Sequence, residues 1–106
     1  MRHEEAQLAM RMLVLDHKPR KIEANNLEGK WISYSWHRST VRPMGGFYAF
    51  DVGLVVASKG TRDVQVEYEC GAKIWVKLSL RDYESDKETR PSRVGQWRML
   101  KKKNCN

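Results

Sequence analysis

The chain has 106 residues, 41% hydrophobic and 31% charged, and its 20 Lys and Arg against 13 Asp and Glu leave a net charge of +7. That length supports one domain with a real core, and no run approaches the roughly 18 consecutive apolar residues of a membrane span. A pI near 9.7 suits a polyanionic partner, nucleic acid being the commonest, although small basic proteins also occur with no specific anion to bind.

The first residues, Met1-Arg2-His3-Glu4-Glu5, do not have a secretory pattern, and the apolar run at 12–15 is too short for a signal peptide. Two cysteines, Cys70 and Cys105, fit free thiols in a reducing compartment better than a disulfide framework. The expected location is intracellular, and nuclear if the source is a eukaryote. In residues 1–17 the spacing predicts an amphipathic helix over 4–15. Leu8, Met12 and Leu15 recur at helical intervals, with Ala6, Met10 and Leu13 on an adjacent stripe. Glu4 and Glu5 suit the positive end of the helix dipole, and Pro19 stops the run. The stripe is expected to dock on the rest of the fold or to form a homodimer. Residues 18–29 are polar, contain Asn25-Asn26 and end in Gly29, which reads as a linker.

From residue 30 onward the period changes to two, the mark of half-buried strands. Ile32, Tyr34 and Trp36 alternate with serines. Phe50, Val52, Leu54 and Val56 alternate with smaller or polar residues, with Val55 out of pattern. Val64, Val66 and Tyr68 alternate with Gln65, Glu67 and Glu69, and Ile74, Val76 and Leu78 with Lys73, Trp75 and Lys77. Turn chemistry separates them at 58–63 and 69–71. Short strands at this spacing in so few residues predict a mainly β, five-stranded barrel over residues 30–100. Its fifth strand is either at Tyr83 or at 96–100, where Trp97 and Met99 share a face. A polar loop fills 85–95 and a basic tail 101–106.

Three histidines, His3, His17 and His37, share no face with a carboxylate or cysteine in a ligand pattern. Gly45-Gly46 is a turn and not a phosphate cradle. The expectation is a non-catalytic binding module without cofactor, metal or membrane attachment. Lys18, Arg20, Lys21, Arg38, Arg42 and the run Arg98, Lys101, Lys102, Lys103 are placed to meet phosphates. Trp75 lies out of phase with Ile74 and Val76, between Lys73 and Lys77. It is either an exposed stacking platform for nucleic-acid bases or a residue covered by the N-terminal helix or the last strand.

Residues 29–83 resemble a Tudor-type SH3-like barrel. The resemblance rests on Trp36 ending a first strand, Phe47-Tyr48 opening the second, and the turn Tyr68-Glu69-Cys70-Gly71. Trp75-Val76-Lys77-Leu78 and the short turn Ser79-Leu80-Arg81-Asp82-Tyr83 follow. What it implies is an aromatic cage for methylated lysine or arginine peptides, working by cation–π attraction, at Trp36, Phe47 or Tyr48, and Tyr68. These rings also alternate in phase with aliphatics, as core residues do. The family's methyl-lysine readers usually place an acid just before the turn glycine, where this chain has Cys70. Nucleic-acid binding is therefore the first expectation, methylated-peptide recognition the second, and structural assembly the third.

Overall fold

The computed structural model describes residues 12–35, 52–69, 71–84 and 95–103. Within them the chain is mainly β. It forms β1 (Leu13–Leu15), β2 (Trp31–Tyr34), β3 (Val52–Lys59), β4 (Asp63–Tyr68), β5 (Lys73–Lys77) and β6 (Trp97–Lys102), with 3-10 turns at Ala24–Leu27 and Leu80–Asp82. All ladders are antiparallel and lie in one sheet of order β1-β6-β2-β3-β4-β5.

The expected five-stranded closed barrel is corrected to an open six-stranded sheet. Among the described residues β5 and β6 share no ladder; a single parallel bridge, Tyr83 to Trp97, stands in the gap. The sheet still wraps one core, because the alternating residues of five strands converge. Ile32, Tyr34, Val55, Val64, Val66, Tyr68, Val76, Trp97 and Met99 pack together with Leu78 and Tyr83. Burial of such side chains stabilises by about 1.5–3 kcal/mol each before entropy is counted.

The N-terminal helix is the second correction. Leu13–Leu15 is a strand, paired with Leu100, Lys101 and Lys102 of β6, and the earlier part of the expected helix lies outside the described residues. Of the three residues of this strand, Leu13, Val14 and Leu15, the two leucines lie on the covered face. Leu13 joins Val52 and Leu100 in a second apolar cluster on the other side of the sheet, with Leu15 and Trp31 against it. That covers in one chain the part of the stripe that was expected to dock or dimerise. The residues read as a linker also belong to the body. Ala24 and Leu27 are buried in the main core, and the Ala24 N–H donates to the Thr61 carbonyl at 3.0 Å. The basic tail is corrected in the same way: Lys101 and Lys102 are strand residues, and the Lys103 N–H donates to the Met12 carbonyl.

Strand β3 runs in the opposite phase to the one expected. Gly53 and Val55 pair with Tyr68 and Val66 on the core side, while Val52 and Leu54 face the second cluster and Glu67. A register shift between Val55 and Ala57 leaves Val56 as the extra, exposed residue of a β-bulge. Gly53 permits the close approach of β4. A Cβ there would collide with Val66 Cγ1 and lie 2.9 Å from the Glu67 carbonyl oxygen and 3.3 Å from Tyr68 Cδ1. The β3–β4 hairpin closes through Gly60, Thr61 and Arg62, with Gly60 at φ +62°, in the left-handed region that favours glycine.

The connection from β5 to β6 is held by two aromatic side chains. Tyr83 and Trp97 meet edge to face, centroids 4.9 Å apart at 84°, and the Trp97 indole N–H donates to the Ser79 carbonyl at 2.8 Å. The Tyr83 hydroxyl donates to the Asp16 carbonyl at 3.0 Å and accepts from the Met99 N–H at 3.2 Å.

Two outcomes are expected. Gly53→Ala will lower stability in urea or thermal denaturation by about 1–3 kcal/mol, as overpacking does, because backbone as well as side chain obstructs the new methyl. Tyr83→Phe will cost about 1–3 kcal/mol by stranding the two backbone groups it satisfies. Burial, foremost, holds the Tyr83 phenol above its ordinary 10.0, with the Asp16 charge adding to it and the Met99 N–H and Arg98 opposing. Burial raises Tyr34 as well. The folded state thus holds these protons more tightly than the unfolded one. Stability is complete below about pH 10 and falls as pH rises through the folded values. The urea midpoint followed against pH will show that alkaline loss, and Tyr83→Phe will make it shallower.

Candidate nucleic-acid interface

Alternation in β5 sends Ile74 and Val76 inward and leaves Lys73, Trp75 and Lys77 on the outer face. The ladder sets Gln65 opposite Trp75, Glu67 opposite Lys73 and Asp63 opposite Lys77. Lys59, the last residue of β3, pairs with Asp63 from the other side. Two hairpins therefore gather Lys59, Lys73, Trp75 and Lys77 on one sheet face, although 14 positions separate Lys59 from Lys73 along the chain.

Trp75 is 43% exposed, so the reading that covered it with a helix or a final strand does not hold. Lys59 Nζ stands 4.3 Å from the centroid of its ring, a cation–π contact worth about 0.5–1 kcal/mol at an exposed site. Asp63, half-buried, shares this face, standing between Lys59 and Lys77 in the ladders. Glu67 is buried and reaches Lys73 only at 4.0 Å, whereas Lys59, Lys73 and Lys77 are exposed. The Lys59 ammonium lies over one face of the indole; a planar base can stack on the ring by taking that place or the other face, and the displaced cation is then available to a phosphate oxygen.

The other expected contacts divide. Lys18, Arg20 and Lys21 are exposed. Lys21 pairs with Glu23 at 2.9 Å, and the hydrogen bond and charge of Lys21 hold the Glu23 carboxyl below its ordinary value. Lys101, Lys102 and Lys103 are exposed, Lys101 lying 3.9 Å from Asp16. Arg98 is corrected: it is 3% exposed, opposite Ser33 in the β2–β6 ladder, and has no surface to offer a phosphate. Arg38 and Arg42 lie outside the described residues.

Of the cage candidates, Tyr68 is fully buried, and its hydroxyl donates to the Tyr34 carbonyl at 3.2 Å. Its ring belongs to the core and presents no face to a methylammonium ion. Trp36, Phe47 and Tyr48, like Cys70 and Cys105, lie outside the described residues. Sequence reasoning missed Lys59, which sits where turn residues begin. The signal was present: counting back across a three-residue hairpin from Asp63 sets Lys59 in the same row as Lys77.

Among the described residues no group of three or more His, Cys, Asp and Glu side chains could hold a metal ion, and no helix is long and apolar enough to cross a membrane. Comparison with protein-family profiles, curated proteins and solved structures finds no match. The chain's own geometry defines it as a small, mainly β module with a cationic-aromatic sheet face.

That face is separable from the core. Trp75→Ala is expected to cost no more than about 1 kcal/mol, the scale of the Lys59 contact that it removes. Trp97→Ala, which empties a fully buried site, is expected to cost about 3–5 kcal/mol. Thermal denaturation of the two variants checks the contrast.

Proposed function

We propose that this chain is a non-catalytic module that binds nucleic acid, with unpaired bases stacking on Trp75 and phosphates drawn to Lys59, Lys73 and Lys77. The observation that carries the reading is the exposure of Trp75 amid those lysines. Beyond the Lys59 contact, the part of the ring left in water adds little to folding, since the same strand buries Ile74 and Val76 without it. The exposed Lys18 and Arg20, and Lys101 to Lys103 along β6, extend the positive field that steers a polyanion toward the surface.

The finer fold reading is an SH3-like, Tudor-type arrangement of β2 to β6. It is supported by the pairing of the first of these strands with the last and by the order that the resemblance implies. A strand built on Trp75-Val76-Lys77 leads into a short turn, here the 3-10 turn at Leu80–Asp82, and then Tyr83. Recognition of methylated peptides is the weaker alternative, because Tyr68 lies inside the core.

Titration with a single-stranded homopolymer such as oligo-dT is expected to quench tryptophan fluorescence. Affinity should fall with salt by roughly 0.7 in log Kd per log salt for each phosphate engaged. Trp75→Ala is expected to weaken binding by about 1–3 kcal/mol, the range for one base–aromatic stack. Affinity indifferent to salt, or to loss of the indole, overturns the reading.

A further inference from the structure

Beyond the last ladder pair of β4 and β5, Asp63 with Lys77, the outer face turns a corner. The Leu78 N–H donates to the Arg62 carbonyl at 2.9 Å. This bond holds the tip of the β3–β4 hairpin against the chain leaving β5. Between that tip, the 3-10 turn at Leu80–Asp82 and the segment before Ala24 lies an open cleft. Lys21, Arg62 and Arg81 border it, and among the described residues that line it there is no carboxylate. All three cations are exposed.

We infer that this cleft is a phosphate site, and that it takes a backbone phosphodiester of the same single strand whose bases stack on Trp75. The inference rests on the stacking role of Trp75 and adds a second anchor to it. Two guanidiniums on separate turns are suited to grip the non-bridging oxygens of one phosphate, each presenting a planar fork of donors. Ser79 adds a hydroxyl. Its oxygen accepts the Arg81 N–H at 3.3 Å, which leaves the hydroxyl proton to donate outward. Thr61 supplies another hydroxyl on the hairpin side. The Lys21 ammonium shares Glu23 at 2.9 Å on an exposed surface, a contact that an arriving phosphate competes with at little cost.

The spacing favours a strand over an isolated ion. Ser79 lies four residues beyond Trp75, at most about 14 Å along the backbone at roughly 3.4 Å per residue. Lys77 stands between the two. A phosphate on Lys77 and the next in the cleft continue one cationic track from the sheet face over the hairpin tip. A duplex holds its bases stacked and cannot offer one to Trp75 while bending around this corner.

The test uses the whole chain, oligo-dT of about ten nucleotides, within the range such surfaces cover, oligo-dT of about two nucleotides, and a duplex of the longer length. The variant is Arg62→Ala/Arg81→Ala, with Arg62→Lys/Arg81→Lys as the charge-conserving control; circular dichroism and thermal denaturation check that each folds. The alanine variant is expected to lose roughly tenfold in affinity for the longer single strand, the scale of a charge-assisted contact. Its salt slope should drop by about 0.7 for the phosphate released. The lysine variant is expected to recover the salt slope, and the short oligonucleotide to bind wild type and alanine variant alike. Equal binding of the long strand by wild type and alanine variant overturns the cleft, while loss on Trp75→Ala in the same assay keeps the stacking reading. Loss in the arginine variant without loss in Trp75→Ala overturns the stacking reading and the shared track with it. A duplex that binds as tightly as the single strand, with the same dependence on Arg62 and Arg81, overturns the assignment to a single strand. No binding by any oligonucleotide overturns both readings.

Discussion

The joint made by Tyr83 and Trp97 is the constraint on which the rest of the structure depends. An open sheet of this order has two distant edges, and nothing in the ladders brings β5 toward β6. The edge-to-face ring contact, the indole bond to Ser79 and the paired bonds of the Tyr83 hydroxyl do so. They join segments 67 and 16 residues away from Tyr83 in sequence. Apolar contact supplies most of the stabilisation there, and the hydrogen bonds fix which geometry it takes. With that joint in place, the inner faces of five strands enclose one buried core around Trp97 and Tyr68.

The outer face inherits its composition from this arrangement. On the β1, β6 and β2 side, the sheet is covered on both sides, with Leu13, Leu100 and Val52 in the second cluster and Ser33 and Arg98 buried beside it. On β4 outward Glu67 is buried as well, whereas the outward residues of β5, Lys73, Lys77 and one indole, are exposed. Lysines at an edge strand also discourage pairing with another sheet edge. Lys73 and Lys77 thus serve solubility and ligand attraction with the same charge, which is why a charged edge alone says little about binding. Trp75 is what breaks the ambiguity, since an exposed indole works against solubility.

The legible part of the fold is the part governed by local alternation. The inward sets of β4 and β5, Val64, Val66, Tyr68 and Ile74, Val76, stand where period two puts them, as do Trp97 and Met99. Among the readings that failed, three show the reason clearly. The stripe ending in Leu13 and Leu15 fits a helix and a strand about equally over so short a run, and pairing with β6 decided it. The chain around Ala24 and Leu27 is polar on average, and two apolar residues sufficed to bury it. In β3 the alternating valines hid a glycine on the core side, where the crowding by Val66 and Tyr68 arises from another strand. The candidate site was half legible for the same reason. Lys73, Trp75 and Lys77 lie on one strand and can be read from it, whereas Lys59, Arg62 and Arg81 reach the region only through the hairpins.

The bulge at Val56 acts on this surface as a correction of parity. Before it, odd-numbered residues of β3 face the core; after it, even-numbered ones do, as Ser58 pairs with inward Val64 and Lys59 with Asp63. If the same residues ran on without the bulge, the strand would keep its first count, and Lys59 would turn its ammonium toward the apolar interior. The chain would then face a choice between burying a charge and sliding the whole hairpin by one position, and either outcome would scatter the cations around Trp75. One unpaired valine therefore lets a single strand serve a core built on one phase and a binding face built on the other.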